Sequence, residues 1–147
     1  MKKEVPNMGV HEAIRRLKIA FCRIDDLYLK RAEQLGLKPK LFLLFYAIAD
    51  GRVYSQKQIC DDWSLPRTTL NTSVRECLRK GYVRMVPRGN KEKDILLTPA
   101  GRKIVERVFR PIFKAESLAM KPLLGDGLLE AVEAMADRFE KVFHGAK

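Results

Sequence analysis

Residues 55–83 read SQKQICDDWSLPRTTLNTSVRECLRKGYV and contain two helical patterns separated by a turn. Ser55 is a favourable N-cap for a short helix over 56–63, because its hydroxyl can accept from a free N–H of the first turn. The next three residues form a turn that ends in Pro66, which we expect at the first position of the second helix. This second helix should end at Gly81. Two helices joined by a short turn predict a helix-turn-helix.

The segment after the second helix predicts a two-stranded β-wing. Residues 82–86 alternate and are β-prone, and residues 95–97 form the returning strand. Residues 87–93 between them are polar and basic, with Gly89-Asn90 suited to the tip of a hairpin. The sequence therefore predicts a mostly α fold built on a winged helix-turn-helix.

Long amphipathic helices are predicted at both ends of the chain. The first covers 10–35 and the last begins at Leu128, while Thr98-Pro99 starts a long helix in which Pro111 should cause a kink. In both terminal helices, large apolar residues recur at alternating spacings of three and four. The stripe residues expected at a dimer interface are Val10, Ile14, Leu17, Phe21, Leu128, Val132, Met135, Phe139 and Val142. A monomer of 147 residues does not easily cover both stripes, so the sequence predicts a homodimer.

The charge of the chain is strongly basic and is concentrated in one region. Lys and Arg total 29 against 18 Asp and Glu, which gives a net charge of +11. Residues 66–93 alone contain eight basic and two acidic residues. Such a balance points to a polyanionic partner, either a nucleic acid or an anionic membrane surface.

Other features favour a cytoplasmic protein without a membrane partner. The longest apolar run, residues 41–49, is far shorter than the roughly 20 residues that a membrane span needs. Pro39 can open the helix that contains this run, which should be buried on most sides. Residues 1–6 lack the apolar core of a signal peptide.

The second helix of the helix-turn-helix carries a polar face of base-reading residue types. Arginine can bond guanine O6 and N7 together, asparagine can bond adenine at two points, and threonine offers a hydroxyl and a methyl group. This face consists of Arg67, Thr68, Asn71, Thr72, Arg75 and Arg79. The opposite, inward side holds Leu70, Val74, Cys77 and Leu78, with Glu76 pointing sideways. We therefore expect this helix to enter the major groove of DNA.

These segments resemble the MarR family of winged-helix regulators. The resemblance covers nearly the whole chain and includes residues 55–60 and 65–72. Its most specific marks are Gly81-Tyr82-Val83 before the wing and Leu97-Thr98-Pro99-Ala100-Gly101 after it. The resemblance implies a dimer made by the first and last helices. It also implies control of genes by operator binding, often relieved by a small phenolic or other ligand.

The wing departs from the family pattern. Where the family commonly carries Asp-x-Arg, residues 90–94 read NKEKD, so Lys91, Lys93 or Arg88 would have to replace the arginine. The full set of predicted DNA contacts is Ser55, Gln56, Arg67, Thr68, Thr69, Asn71, Thr72, Arg75, Arg79, Arg84, Arg88, Asn90, Lys91 and Lys93.

The sequence predicts one domain, 1–147, with a winged-helix lobe over 38–98 and dimerisation helices over 10–35 and 99–147. The predicted function is a sequence-specific regulator of double-stranded DNA that represses from a pseudo-palindromic operator, with a small-molecule effector as a further expectation. The alternative is a winged-helix module that binds protein without specific DNA binding. No P-loop, G-x-S-x-G or H-E-x-x-H motif is present, so we expect no enzyme activity, cofactor or metal.

Cys22, Cys60 and Cys77 form no CxxC motif, which favours structural thiols in a reducing compartment over oxidant sensors. Trp63 is expected in the core rather than stacked on a ligand.

His11 and His144 are too few for a structural zinc site and are expected at the surface. Phe109, Phe113 and Met120 could line a ligand pocket or belong to a helical core, and the sequence leaves both readings open.

Overall fold

A computed structural model of the chain describes residues 9–89 and 91–145. It is mostly helical, as predicted. The helices are α1 (Val10–Gln34), α2 (Pro39–Ile48), α3 (Gln56–Trp63), α4 (Arg67–Arg79), α5 (Pro99–Ile104), α6 (Arg110–Leu124) and α7 (Leu128–Gly145). A π-helical turn, Val105–Phe109, lies between α5 and α6.

Three short antiparallel strands form one sheet. The strands are β1 (Tyr54–Ser55), β2 (Val83–Arg88) and β3 (Glu92–Leu97), with β3 in the middle. The sequence does not predict β1, because two residues give no alternating pattern. Strands β2 and β3 pair from Val83 opposite Leu97 to Arg88 opposite Glu92. The wing strands therefore reach further toward the tip than predicted, because backbone hydrogen bonds need no apolar side chains.

The chain divides after Arg110 into two compact units. The core of the first unit is built around α2, where Leu41 and Ile48 are 1% exposed. Phe109 is fully buried in this core, with its ring 5.6 Å from the ring of Phe42. The helix-turn-helix and the wing belong to this first unit and share its core.

Helix α1 also belongs to the first unit, and it leaves most of its apolar stripe uncovered. Ala32 is its buried residue. Val10, Leu17 and Phe21 are exposed, and Ile14 is half-buried. The single chain therefore presents an apolar helix face to solvent.

The second unit contains α6 from Pro111 onward and α7. Every residue of α7 is at least partly accessible in the single chain. Leu128, Phe139 and Val142 are exposed, and Val132 and Met135 are half-buried. The apolar stripe of α7 is thus available for a partner in the same way as that of α1.

Two local expectations about α4 need correction. Pro66 is the N-cap of α4 rather than its first residue, because its ψ of 140° is extended and the helix begins at Arg67. Leu78 is 41% exposed instead of facing inward, since it lies on the side of α4 that borders the wing.

Exposure also differs from expectation at two positions elsewhere. The ring of Trp63 contacts Tyr46 edge-on at 5.6 Å, but Trp63 remains 41% exposed and lies at the margin of the core. Cys22 is exposed on α1, whereas Cys60 and Cys77 are buried as predicted.

The irregularity expected at Pro111 lies one turn earlier, in the π-helical turn Val105–Phe109, and Pro111 itself continues in α6. A proline has no N–H to donate to the carbonyl oxygen of the residue four positions earlier. The helical hydrogen-bond pattern therefore changes in the turn before the proline. Across the described ranges, every helix is too short or too polar to cross a lipid bilayer.

Candidate nucleic-acid interface

Helix α3 begins with a capping box. The Ser55 hydroxyl accepts from the Gln58 N–H at 3.1 Å, and Gln58 Oε1 accepts from the Ser55 N–H at 2.8 Å. Because Ser55 is fully buried, its side chain starts the helix and is not available to DNA, contrary to the prediction. The cap fixes the backbone at Gln56 and Lys57, the first two residues of α3.

A cavity of about 350 Å³ opens between α3, α4 and the wing. It is lined on its polar side by Gln56, Lys57, Arg67, Asn71, Arg75, Lys91, Glu92 and Lys93. Five of these side chains are cations and one is a carboxylate, so the cavity attracts anions. Arg67, Asn71 and Arg75 follow at spacings of four and therefore occupy one face of α4.

Two amide side chains meet inside this cavity. The Nε2 group of Gln56 donates a hydrogen bond to Oδ1 of Asn71. Both residues are half-buried. Since Gln56 lies on α3 and Asn71 on α4, the bond connects the two helices of the helix-turn-helix at the cavity surface.

The outer flank of α4 continues the polar face beyond the cavity. Thr68, Thr72 and Arg79 are exposed there, and the Thr72 hydroxyl donates to the Thr68 carbonyl oxygen at 3.0 Å. Thr69 is exposed but lies on another side of α4. It shares that side with Ser73, four residues later, whose hydroxyl donates to a backbone carbonyl oxygen of α2. The structure therefore separates Thr69 from the other predicted contacts on α4.

In the wing, Arg88 is held by neighbouring side chains. Its Nη1 donates to Gln58 Oε1 at 3.5 Å and lies 3.6 Å from a carboxylate oxygen of Asp94. This arrangement ties the end of β2 to the first turn of α3. Arg88 is thus a residue that positions the wing, although its side chain remains 55% exposed.

The other predicted wing contacts differ in position. Lys91 and Lys93 are exposed and border the cavity, whereas Arg84 is exposed on β2 outside its lining. Asn90 lies outside the described residues. Lys91 and Lys93 are therefore the wing cations that share a surface with Arg67 and Arg75 of α4.

Glu76, predicted to point sideways from the polar face of α4, is buried beside two lysines. Its side chain is 9% exposed, and its carboxylate lies 2.6 Å from Lys40 Nζ and 3.3 Å from Lys80 Nζ. The hydrogen bond from Lys40, with further help from Lys80, holds the pKa of Glu76 below its ordinary value despite the opposing effect of burial. Because Lys40 lies on α2 and Glu76 on α4, the ion pair fastens α4 to α2.

Sequence reasoning missed Lys57 and Glu92, which both border the cavity. Lys57 pairs with Asp61 at 3.0 Å, one turn later on α3. The available signal for Lys57 was its place beside Gln56 in the first turn after the cap. The signal for Glu92 was its place between two predicted contacts of the wing, Lys91 and Lys93.

Comparison with solved structures identifies this arrangement. A MarR family regulator from Neisseria meningitidis is 19% identical, and the match covers 95% of this chain and 100% of that chain with a TM-score of 0.79. The chain has the MarR fold. The predicted fold class and the predicted resemblance are therefore confirmed at the level of fold.

Two further structures with the MarR fold were solved with ligands. A MarR family transcriptional regulator from Listeria monocytogenes, complexed with 26mer DNA, is 19% identical over 99% of this chain and 97% of that chain, with a TM-score of 0.69. NadR in complex with 4-hydroxyphenylacetate is 13% identical over 93% of this chain and 96% of that chain, with a TM-score of 0.64. No family model and no curated protein sequence matches the chain.

The two most specific sequence marks of the MarR fold meet in space. The Thr98 hydroxyl donates to the Gly81 carbonyl oxygen at 2.5 Å and accepts from the Gly101 N–H at 3.1 Å. The Thr98 N–H donates to the Tyr82 carbonyl oxygen at 3.0 Å. These contacts join the residues before the wing to those after it, and they fix the base of the wing relative to α4.

The remaining candidate residues lie away from the cavity. Burial, together with the nearby charge of Glu76, raises the pKa of Cys77 to about 11, so its thiol is poorly reactive. His11 and His144 are exposed, as predicted. Within residues 9–89 and 91–145, no group of three or more potential metal-ligating side chains comes together.

Proposed function

We propose that this protein is a sequence-specific transcription regulator of the MarR family that binds double-stranded DNA. The observation that carries the proposal is the cavity between α4 and the wing, where five cations and two amides face a space with one carboxylate. Cations neutralise backbone phosphates, while arginine and asparagine side chains read base edges. The regulator from Listeria monocytogenes complexed with 26mer DNA has a similar fold, which supports this proposal.

In this proposal α4 enters the major groove. Arg67, Asn71 and Arg75 face the base edges and the near phosphates, while Lys91 and Lys93 of the wing contact the backbone beside them. The bond from Arg88 to Gln58 ties the end of β2 to the first turn of α3, which supports such a two-part contact.

We propose further that the protein acts as a homodimer formed by the exposed stripes of α1 and α7. Monomeric proteins rarely expose large contiguous apolar patches, and each of these helices leaves large apolar side chains uncovered in the single chain. A two-fold dimer places two recognition helices about one DNA turn, roughly 34 Å, apart. The operator is then a pseudo-palindrome.

Repression relieved by a small ligand completes the proposal. A dimer seated on an operator can exclude other proteins from the same DNA. The complex of NadR with 4-hydroxyphenylacetate, in a structure of the same fold, supports a small ligand for this protein.

A gel mobility shift with fragments of the source genome, repeated at two salt concentrations, tests the proposal. Specific binding should retain one or a few fragments in the presence of competitor DNA. It should also weaken steeply with salt, because each neutralised phosphate releases counterions. Failure to retain any fragment at low salt would favour the alternative, a winged-helix module that binds protein.

A further inference from the structure

We infer that Lys40 of α2 is a positioning residue for DNA recognition, because its backbone carbonyl oxygen and its ammonium group both bind the same flank of α4. The inference rests on the proposed function and adds to it a residue outside the cavity lining. The Ser73 hydroxyl donates to the Lys40 carbonyl oxygen at 3.0 Å. Lys40 Nζ lies 2.6 Å from a carboxylate oxygen of Glu76. Two contacts with one residue of α2 therefore hold this flank of α4.

The two contacts lie on the opposite flank of α4 from the residues that line the cavity. The buried apolar stripe of α4 consists of Leu70, Val74 and Cys77. Because about 3.6 residues complete a helical turn, Ser73 and Glu76 lie on one side of this stripe. Asn71 and Arg75, in the cavity lining, lie on its other side. A rotation of α4 about its axis would move both flanks together, so a contact on one flank governs the placement of the other.

The polar contacts with Lys40 supply a constraint that the apolar stripe does not. Hydrophobic packing favours burial of the stripe but is non-directional. A hydrogen bond depends on both distance and angle, so the contacts with Lys40 restrict the rotation of α4. Side chains of a binding site must be held within about 0.5 Å and 10–20° of their productive geometry. We therefore expect the contacts of α4 with base edges to depend on Lys40.

The ion pair with Lys40 differs from the other ion pairs of Glu76. Lys80 Nζ lies 3.3 Å from the carboxylate and Arg79 Nη2 lies 4.0 Å from it, but both residues follow Glu76 in the chain and are close to it on α4 or at its end. Of the three cations near Glu76 in the described part of the chain, Lys40 alone belongs to another helix. Removing its ammonium group therefore leaves the carboxylate paired and breaks the ion pair to α2.

The experiment measures, by fluorescence anisotropy, the affinity of the full chain for two duplexes. One is a cognate duplex selected from a randomised pool, and the other has an unrelated sequence. In Lys40→Met the apolar stem stays and the charge is lost. Affinity for the cognate duplex should fall about tenfold, which is comparable to the loss of one good base contact. Affinity for the unrelated duplex and the salt dependence of binding should stay unchanged, because Lys40 neutralises no phosphate.

Three further variants show whether Lys40 acts through Glu76. Lys40→Arg keeps a cation for the carboxylate and should retain most of the cognate affinity. In the Glu76→Gln background the ion pair is already broken, so Lys40→Met should cause a much smaller further loss. Lys30→Met is the matched control, since Lys30 pairs with Asp26 at 2.7 Å on the exposed surface of α1. It should leave both affinities unchanged. Circular dichroism and thermal unfolding define the temperature range in which every variant is folded, and the affinities are compared within that range.

The outcomes distinguish the inference from the proposed function. Equal losses for both duplexes in Lys40→Met, with a salt slope reduced by about one, would make Lys40 a direct phosphate contact and overturn the inference. Unchanged cognate affinity, or an undiminished loss in the Glu76→Gln background, would also overturn it. In each of these cases the proposed function stands. If the parent prefers no sequence from the pool, the proposed function fails and the inference fails with it.

Discussion

Gly101 lies so close to the backbone carbonyl oxygen of Tyr82 that a Cβ atom at position 101 would overlap that oxygen. The first turn of α5 therefore packs directly on the start of the wing. Gly101→Ala should destabilise the fold by about 1–3 kcal/mol, because the overlapping atom belongs to the backbone and cannot rotate away. Thermal unfolding measures the loss. Gly125→Ala is the control, since no atom lies within 4 Å of its added Cβ, and an equal melting temperature for both variants would contradict the prediction.

Replacing Arg67 should weaken the binding of the protein to its cognate DNA. Arg67 is exposed and borders the cavity, so Arg67→Ala should cost about 1–3 kcal/mol at the cognate sequence. Fluorescence anisotropy with a labelled duplex measures this cost. Arg110→Ala removes a cation that pairs with Glu106 away from the cavity, and it should change affinity little. Equal losses for the two variants would show that net charge, rather than position, governs binding.

Stability should depend on the ionisation of Glu76 in acid. Since the folded chain lowers its pKa, the ion pairs of Glu76 stabilise the fold above pH 4.5, and this contribution is lost as the pH falls through the folded pKa. The melting temperature of Glu76→Gln should therefore be lower than that of the parent at pH 7. The difference between the two melting temperatures should shrink below pH 4.5. Glu106→Gln, which breaks a solvent-exposed pair with Arg110, should have a much smaller effect at both pH values. A difference that stays constant into acid would contradict the role of the charge.

The exposed stripes of α1 and α7 should hold the proposed dimer together. Leu17→Glu and Phe139→Glu each put a charge into an apolar contact, so light scattering should show monomers at micromolar concentration. Both variants should bind the operator more weakly, because a monomer has one copy of α4 and contacts one half-site. Val53→Glu is the matched control, since Val53 is an exposed apolar residue outside these helices. A parent protein that is monomeric and still binds a half-site tightly would refute the dimer.

Features that depend on neighbouring residues in the chain could be predicted from the sequence. The cap at Ser55 and the Thr98-Pro99 helix start appear in the structure as predicted, since a cap depends on a hydroxyl and the N–H three residues later. The spacing of Arg67, Asn71 and Arg75 also places them on one face of α4.

Features that depend on contacts between distant elements could not be predicted in this way. The helical period shows that Glu76 leaves the polar face of α4, but not that Lys40 of α2 lies within ion-pair distance. The bond between Gln56 and Asn71 spans 15 positions, and the contact of Arg88 with Gln58 spans 30. Such pairs follow from how the elements pack, which no short-range pattern encodes.

The composition of the cavity between α4 and the wing has a consequence for how the protein responds to the anions around it. Its described lining consists of lysines, arginines, amides, one glutamate and apolar side chains, and neither His11 nor His144 belongs to it. Occupancy of the operator should therefore fall when dissolved anions compete with DNA for these cations.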